Sequence, residues 1–212
     1  MPRIEQARAW YCSADAVHDF DHVLRVYHTV EHLASIEGAD MEIVRAAALL
    51  HDAEGAAPGV NSQRKNHQHA SAEFAERVLI EEGWLPERIA AVQHCIRAHR
   101  FRDHSEPPET LEARILFDAD KLDVLGAVGV ARVIAYAALD GNPFYHPPSE
   151  KFLESGVEES GEPHSAYHEH LFKLRKVGDR MFTATARRMA QERLVYLEAF
   201  FERLIAEWQG EK

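Results

Sequence analysis

The sequence predicts an all-α protein, a helical bundle with additional C-terminal helices. Three observations predict it. Apolar residues recur at helical spacing along most of the chain. No stretch sustains period-2 alternation with β-branched enrichment. Breaks fall at Gly38, at Gly83 with Pro86, and in the polar run RDHSEPPE, leaving segments long enough for helices.

Taken in order, residues 3–12 suit a short first helix and 15–37 a longer one, with Ser13 or Asp15 as its N-cap and Gly38 as its end. Residues 40–53 open on an Asp cap and hold the apolar run AAALL. The loop GAAPGVNSQ follows. Residues 67–82 and 86–100 make a helical pair, and 110–138 read as one further helix. Residues 139–164 carry Pro143, Pro147, Pro148 and Pro163 with Gly141, Gly156 and Gly161, and read as a long irregular loop. Residues 165–176 and 183–208 return to helical spacing. The 212 residues are read as a single domain: a core over about 15–138, the loop over about 139–164, and C-terminal helices over about 165–208.

Composition bounds the function. Hydrophobic residues make up 46% of the chain, enough for one buried core. A formal net charge of -11 argues against general nucleic-acid binding through phosphates, yet leaves room for a small anionic substrate in a local basic pocket. Cys12 and Cys95 cannot build a disulfide framework. The start MPRIEQARAW lacks an apolar signal core, and no apolar run approaches a membrane span. A reducing cytoplasm is the expected compartment, with no membrane partner; the oligomeric state is left open.

The chemistry is carried by HDFDHVLRV, ALLHDAEG and FDADKLDVLGAVG. With 14 histidines in the chain, spacing alone decides nothing. Placing His22 at zero on a helical wheel, Val26, Val30, Leu33 and Val23 fall between about 20° and 100°. His22 therefore borders the apolar face. His28 and His32 fall near about 240° and 280°, on the solvent side. His18 lies about 40° beyond His22, at the edge of a site or in solvent. His51-Asp52 closes a helix apolar on nearly every face, and a carboxylate buried there needs a cation or a strong hydrogen-bond partner. Asp120 sits among Leu116, Val124, Ala127 and Ala131, within about 40° of each. Asp118 and Asp123 either orient ligands or are surface charges. Two imidazoles and two carboxylates suit a divalent cation of intermediate hardness.

This order of His22, His51-Asp52 and Asp120, with Lys121 following, resembles the HD superfamily of metal-dependent phosphohydrolases. The stretch HSAYHEHLFKLRK also looks like a motif of a bacterial subgroup that includes nucleotide pyrophosphohydrolases, although a Lys is expected there where His170 stands. The matched pieces cover roughly residues 18–185. The resemblance implies an HD-domain bundle and metal ligands His22, His51, Asp52 and Asp120. It implies a divalent ion (Mn, Mg, Fe, Ni, Co or Zn) and a small phosphorylated substrate, a nucleotide first among them. Binuclear members insert two histidines between the doublet and the last aspartate. His69 and His99 fit that interval, with Asp52 shared by two metals; His67 and His94 stand close by. Without a second metal, His69 and His99 would bind phosphate or move protons.

The expected reaction is attack of a metal-activated water at phosphorus. Lys121 would neutralise charge on the phosphoryl oxygens, and His69, His99 or Glu54 would move the proton. Arg97, Arg100, Lys173 and Tyr145 are the substrate-binding candidates, each also readable as helix-surface charge or ordinary packing. The loop over 139–164, with Phe144, Tyr145 and His146, is expected to border the pocket. Two other classes stay open: an HD-type diiron oxygenase, and a ligand-binding module with a non-catalytic metal site.

Overall fold

The computed structural model describes residues 1–11, 20–54, 67–101 and 106–212. Among these, every regular element is helical. The expectations for Ser13, Asp15, His18 and the loop GAAPGVNSQ lie outside the described residues. The chain divides into two compact units: Met1–Asp120 with Phe182–Ala186, and Lys121–Met181 with Arg187–Lys212.

The first unit holds α1 (Ile4–Arg8), α2 (Phe20–Glu37), α3 (Met41–Leu50), α4 (His67–Glu81), α5 (Pro86–Ala98) and most of α6 (Leu111–Leu122). A 3₁₀ turn, Ala9–Tyr11, finishes the segment read as one first helix. α3 is the centre of the unit, packing on α1, α2, α4 and α5. Its sequence dictates this position. Asp40 caps it by accepting from Glu42 N–H and Ile43 N–H at 3.0 and 3.2 Å. Ile43, Val44, Ala46, Ala47, Ala48, Leu49 and Leu50 are all buried. A helix apolar on all sides is stable only inside a core, and each fully buried leucine contributes roughly 1.5–3 kcal/mol. The end of α3 is therefore driven to the interior by its own composition.

The second unit holds α7 (Gly126–Leu139), α8 (Glu150–Ser155), α9 (Ala166–Phe172) and nearly all of α10 (Ala184–Trp208). α7 packs on α9. Two 3₁₀ turns, Leu174–Lys176 and Gly178–Arg180, lead from α9 toward α10.

Two expectations about elements are corrected. The single helix over 110–138 is two helices, because the chain breaks at Asp123–Leu125. Gly126 adopts φ 69°, and a Cβ there would lie 3.0 Å from the Arg193 side chain. Only glycine accepts both the left-handed backbone and that close neighbour. The loop over 139–164 contains α8, capped by the Ser149 hydroxyl at its start and ended by Gly156 at φ 70°. Six residues among prolines are too few to show a helical period.

Candidate metal centre

The centre in the first unit is built from helix ends. An α-helix leaves its last carbonyls without intrahelical donors. His51 directly follows α3, and its Nδ1–H donates to the Ala48 carbonyl at 2.8 Å. His99 directly follows α5, and its Nδ1–H donates to the Ile96 carbonyl at 2.5 Å. Both histidines are buried. A carbonyl only accepts, so the proton of each neutral ring is on Nδ1. Each Nε2 is then a lone pair facing inward, the arrangement in which ligating histidines are held by a second hydrogen bond. The two rings stand edge to face with centroids 5.2 Å apart.

His22, on the buried face of α2, brings its Nε2 to 3.4 Å from His51 Nε2 and 3.5 Å from Asp120 Oδ1. Asp52 lies in the middle. Its Oδ2 is 3.6 Å from His51 Nε2 and 4.0 Å from His22 Nε2. Its Oδ1 is 3.5 Å from His99 Nε2 and 2.9 Å from His67 Nε2. Ligand atoms of His22, His51 and Asp52 form one group able to hold a metal, and those of Asp52, His67 and His99 form another. Asp52 is common to both.

Electrostatics agree with this geometry. Burial lowers the His51 pKa to about 4, so the ring stays neutral. Burial pushes the Asp52 carboxyl up, but His51, which becomes cationic only in acid, and the nearby rings of His67 and His99 outweigh it and hold the group well below the usual range. Asp52 Oδ1 is buried with no donor aligned on it. An ionised carboxylate beside the Nε2 lone pairs of His51 and His99 fits a divalent cation, and so does the mixed nitrogen and oxygen donor set.

The other candidates fall as follows. His69 is exposed, and it is His67, two residues earlier at the start of α4, that reaches Asp52. This corrects the expected pairing of His69 with His99. His67 had been set beside His69 in the sequence without a feature to favour it. Arg100 donates to His67 Nδ1 at 2.9 Å, so the neutral His67 ring carries its proton on Nε2, toward Asp52. Glu54 is exposed; its backbone N–H and carbonyl both pair with the Ser71 hydroxyl. Arg97 pairs with Glu106 at 2.6 Å. Lys121 immediately follows Asp120 on α6. In the second unit, Lys173 is exposed and pairs with Glu169. Tyr145 is buried against Tyr167 and Trp208. His28 and His32 are exposed, as the wheel places them.

Asp118 has a role that neither sequence reading gave it. It is fully buried and accepts from Phe182 N–H, Thr183 N–H and the Thr183 hydroxyl, each at 2.8 Å. It fastens the residues just before α10. Asp123 is also buried, paired with Arg132. Tyr11 was missed altogether. Its hydroxyl donates to the Leu49 carbonyl at 3.0 Å, and burial together with the Asp52 charge raises its pKa well above the ordinary value. A lone tyrosine in AWYC gives no sequence signal for that.

Comparison with known proteins agrees with the geometry. The YpgQ protein of Bacillus subtilis is 30% identical over 211 residues, covering 96% of this chain and 93% of that protein. The crystal structure of B. subtilis YpgQ in complex with ADP superposes with a TM-score of 0.74 at 29% identity, covering 99% of this chain and 100% of that one. A crystal structure of an HD-superfamily hydrolase from Bacillus thuringiensis gives a TM-score of 0.72 at 26% identity, covering 97% and 94%. The HD domain model matches residues 19–125, the stretch that contains His22, His51, Asp52, His67, His99 and Asp120, and the chain belongs to the HD domain family.

Proposed function

We propose that the protein is a metal-dependent phosphohydrolase acting on a nucleotide or another small phosphate ester. The observation that carries this reading is Asp52, one largely enclosed carboxylate whose two oxygens each lie beside imidazole nitrogens. His22, His51, Asp52 and Asp120 would hold the first divalent ion, and Asp52, His67 and His99 a second. Such an ion polarises a phosphoryl oxygen and lowers the pKa of water toward neutrality. The chain's own part begins with position. His51 and His99 are fixed in ring orientation by the carbonyls they bond. With one ion bound, His67, whose Nδ1 accepts from Arg100, is placed to give or take a proton through Nε2 beside Asp52; a second ion would take the place of that proton. Arg100 and Lys121 supply positive charge for phosphoryl oxygens, Lys121 by its place directly after Asp120. YpgQ in complex with ADP supports a nucleotide as the phosphate carrier.

The shared carboxylate favours a second reading, a diiron oxygenase, because the same donors suit iron. One experiment separates the two. The protein, stripped by chelation and reloaded with Mn²⁺, Ni²⁺, Co²⁺ or Fe²⁺, is presented with nucleoside mono-, di- and triphosphates. Phosphate or pyrophosphate release that disappears with EDTA supports the hydrolase. Dioxygen uptake by the iron form, without phosphate release from any substrate, overturns it.

A further inference from the structure

We propose that His146, Glu162 and His168 in the second unit form a separate site for a borderline transition cation such as Zn²⁺. His146 lies between α7 and α8, Glu162 lies shortly before α9, and His168 is in the first turn of α9. One ligand atom from each lies within 4.8 Å of the others. Two imidazoles and a carboxylate select Zn²⁺, Co²⁺ or Ni²⁺ over Mg²⁺ or Ca²⁺, and three protein ligands leave a fourth position for water or another ligand.

The surroundings fix each donor. The Glu162 carboxylate is held from behind. Ser149 N–H donates to Oε1 at 2.7 Å, and the Ser149 hydroxyl and Glu159 N–H donate to Oε2 at 2.7 Å. His168 is fully buried beneath the Phe152 ring, with centroids 4.4 Å apart. His146 Nδ1–H donates to the Pro147 carbonyl at 2.8 Å, leaving Nε2 as a lone pair. This is the same device that orients His51 and His99.

His168 Nε2 stands 2.9 Å from Glu162 Oε1, and its Nδ1 stands 2.6 Å from the Ser165 hydroxyl oxygen. A cation would take the place of the proton on Nε2. Bonds of about 2.0–2.2 Å at tetrahedral angles set ligand atoms about 3.3 Å apart, so this edge needs to open by only a few tenths of an ångström. The neutral ring balances the change by moving its proton to Nδ1, where the Ser165 oxygen accepts it once the Ser165 hydroxyl has rotated its own proton away from the ring. That oxygen already accepts from His168 N–H at 3.3 Å. Glu162 exchanges one hydrogen bond for one metal bond and keeps its three other donors. The larger adjustment falls on the His146 side chain, which is half-buried and able to turn inward. A cation here would tie together three points of the chain between α7 and α9 and restrict that segment.

The test uses the full-length Asp52→Ala variant, which weakens the first centre, alone and combined with His146→Ala. Each is titrated with Zn²⁺ and with Co²⁺ as a spectroscopic probe, and amide hydrogen exchange is followed over residues 143–169. We expect Asp52→Ala to bind one equivalent more than the double variant, and Zn²⁺ to slow exchange over 143–169 only where His146 is present. His164→Ala, a pocket neighbour paired with Glu158 and Glu169, should leave that equivalent in place. Equal stoichiometry and equal exchange in both His146 forms would overturn the proposal. Should His146→Ala unfold the segment, His146→Gln retains bulk and is read by the same criterion.

Discussion

Asp52 in the first unit and Glu162 in the second are both carboxylates set among imidazoles, yet their oxygens are satisfied differently. Glu162 has backbone and hydroxyl donors on both oxygens before any cation is considered. Asp52 faces chiefly imidazole nitrogens, and no donor is aligned on Oδ1. The surrounding rings differ as well. His51 and His99 have spent their protons on helix-end carbonyls, whereas His168 Nε2 is within hydrogen-bond distance of Glu162. A cluster whose hydrogen bonds are complete supports the fold by itself. A cluster short of positive charge depends on a cation, and removing its carboxylate should spare the fold. Asp118 is the control inside the first unit: a buried carboxylate that accepts from Phe182 N–H, Thr183 N–H and the Thr183 hydroxyl.

The largest effect should therefore come from Asp52→Asn. We predict a fall of roughly 10³-fold or more in metal-dependent turnover, with the circular dichroism spectrum of the metal-free protein unchanged. A folded, fully active Asp52→Asn would break the contrast. Asp118→Ala should behave in the opposite way. It leaves buried N–H groups at 182 and 183 without acceptors, and we predict a loss of about 3 kcal/mol in urea unfolding. Glu162→Gln should lower the thermal midpoint of the metal-free protein while turnover per folded molecule is retained; unchanged stability would show that its donors contribute little.

A pH series sharpens the contrast further. His170 is buried, stacked on Phe201 with ring centroids 4.6 Å apart, and burial lowers its pKa to about 4. The unfolded ring titrates near about 6.5. Between these values the unfolded chain binds the extra proton, so stability is full above about pH 6.5 and is lost as pH falls toward about 4. His170→Phe should flatten that part of the curve, measured as midpoint against pH. The smallest effect belongs to His28→Ala: the side chain is 68% exposed and touches Glu31 and the edge of Tyr27, so turnover and stability should move by less than about 0.5 kcal/mol.

Much of the first centre was legible because its residues are conspicuous against their context. A His-Asp doublet ending an all-apolar helix is a buried charge written into the sequence, and the wheel separated His22 from His28 and His32 by their neighbours. The choice between His67 and His69 was not legible. Both begin the same helix, and a shift of two residues around it decides which faces Asp52 and which faces solvent. Asp118 could not be assigned because its partners, Phe182 and Thr183, are 64 and 65 residues away. The division of the 110–138 segment was carried by Gly126, whose positive φ and tight contact with Arg193 exist only in three dimensions. In the second unit, short helices between prolines gave no period to read, and the cluster around Glu162 joins residues from three separate stretches.

The most direct test is anomalous diffraction from crystals loaded with Zn²⁺. A peak should lie about 2.0–2.2 Å from the Nε2 atoms of His22 and His51 and from carboxylate oxygens of Asp52 and Asp120. A strongly occupied peak elsewhere, with the Asp52 carboxylate uncoordinated, would contradict the assignment of Asp52 as the centre of the site.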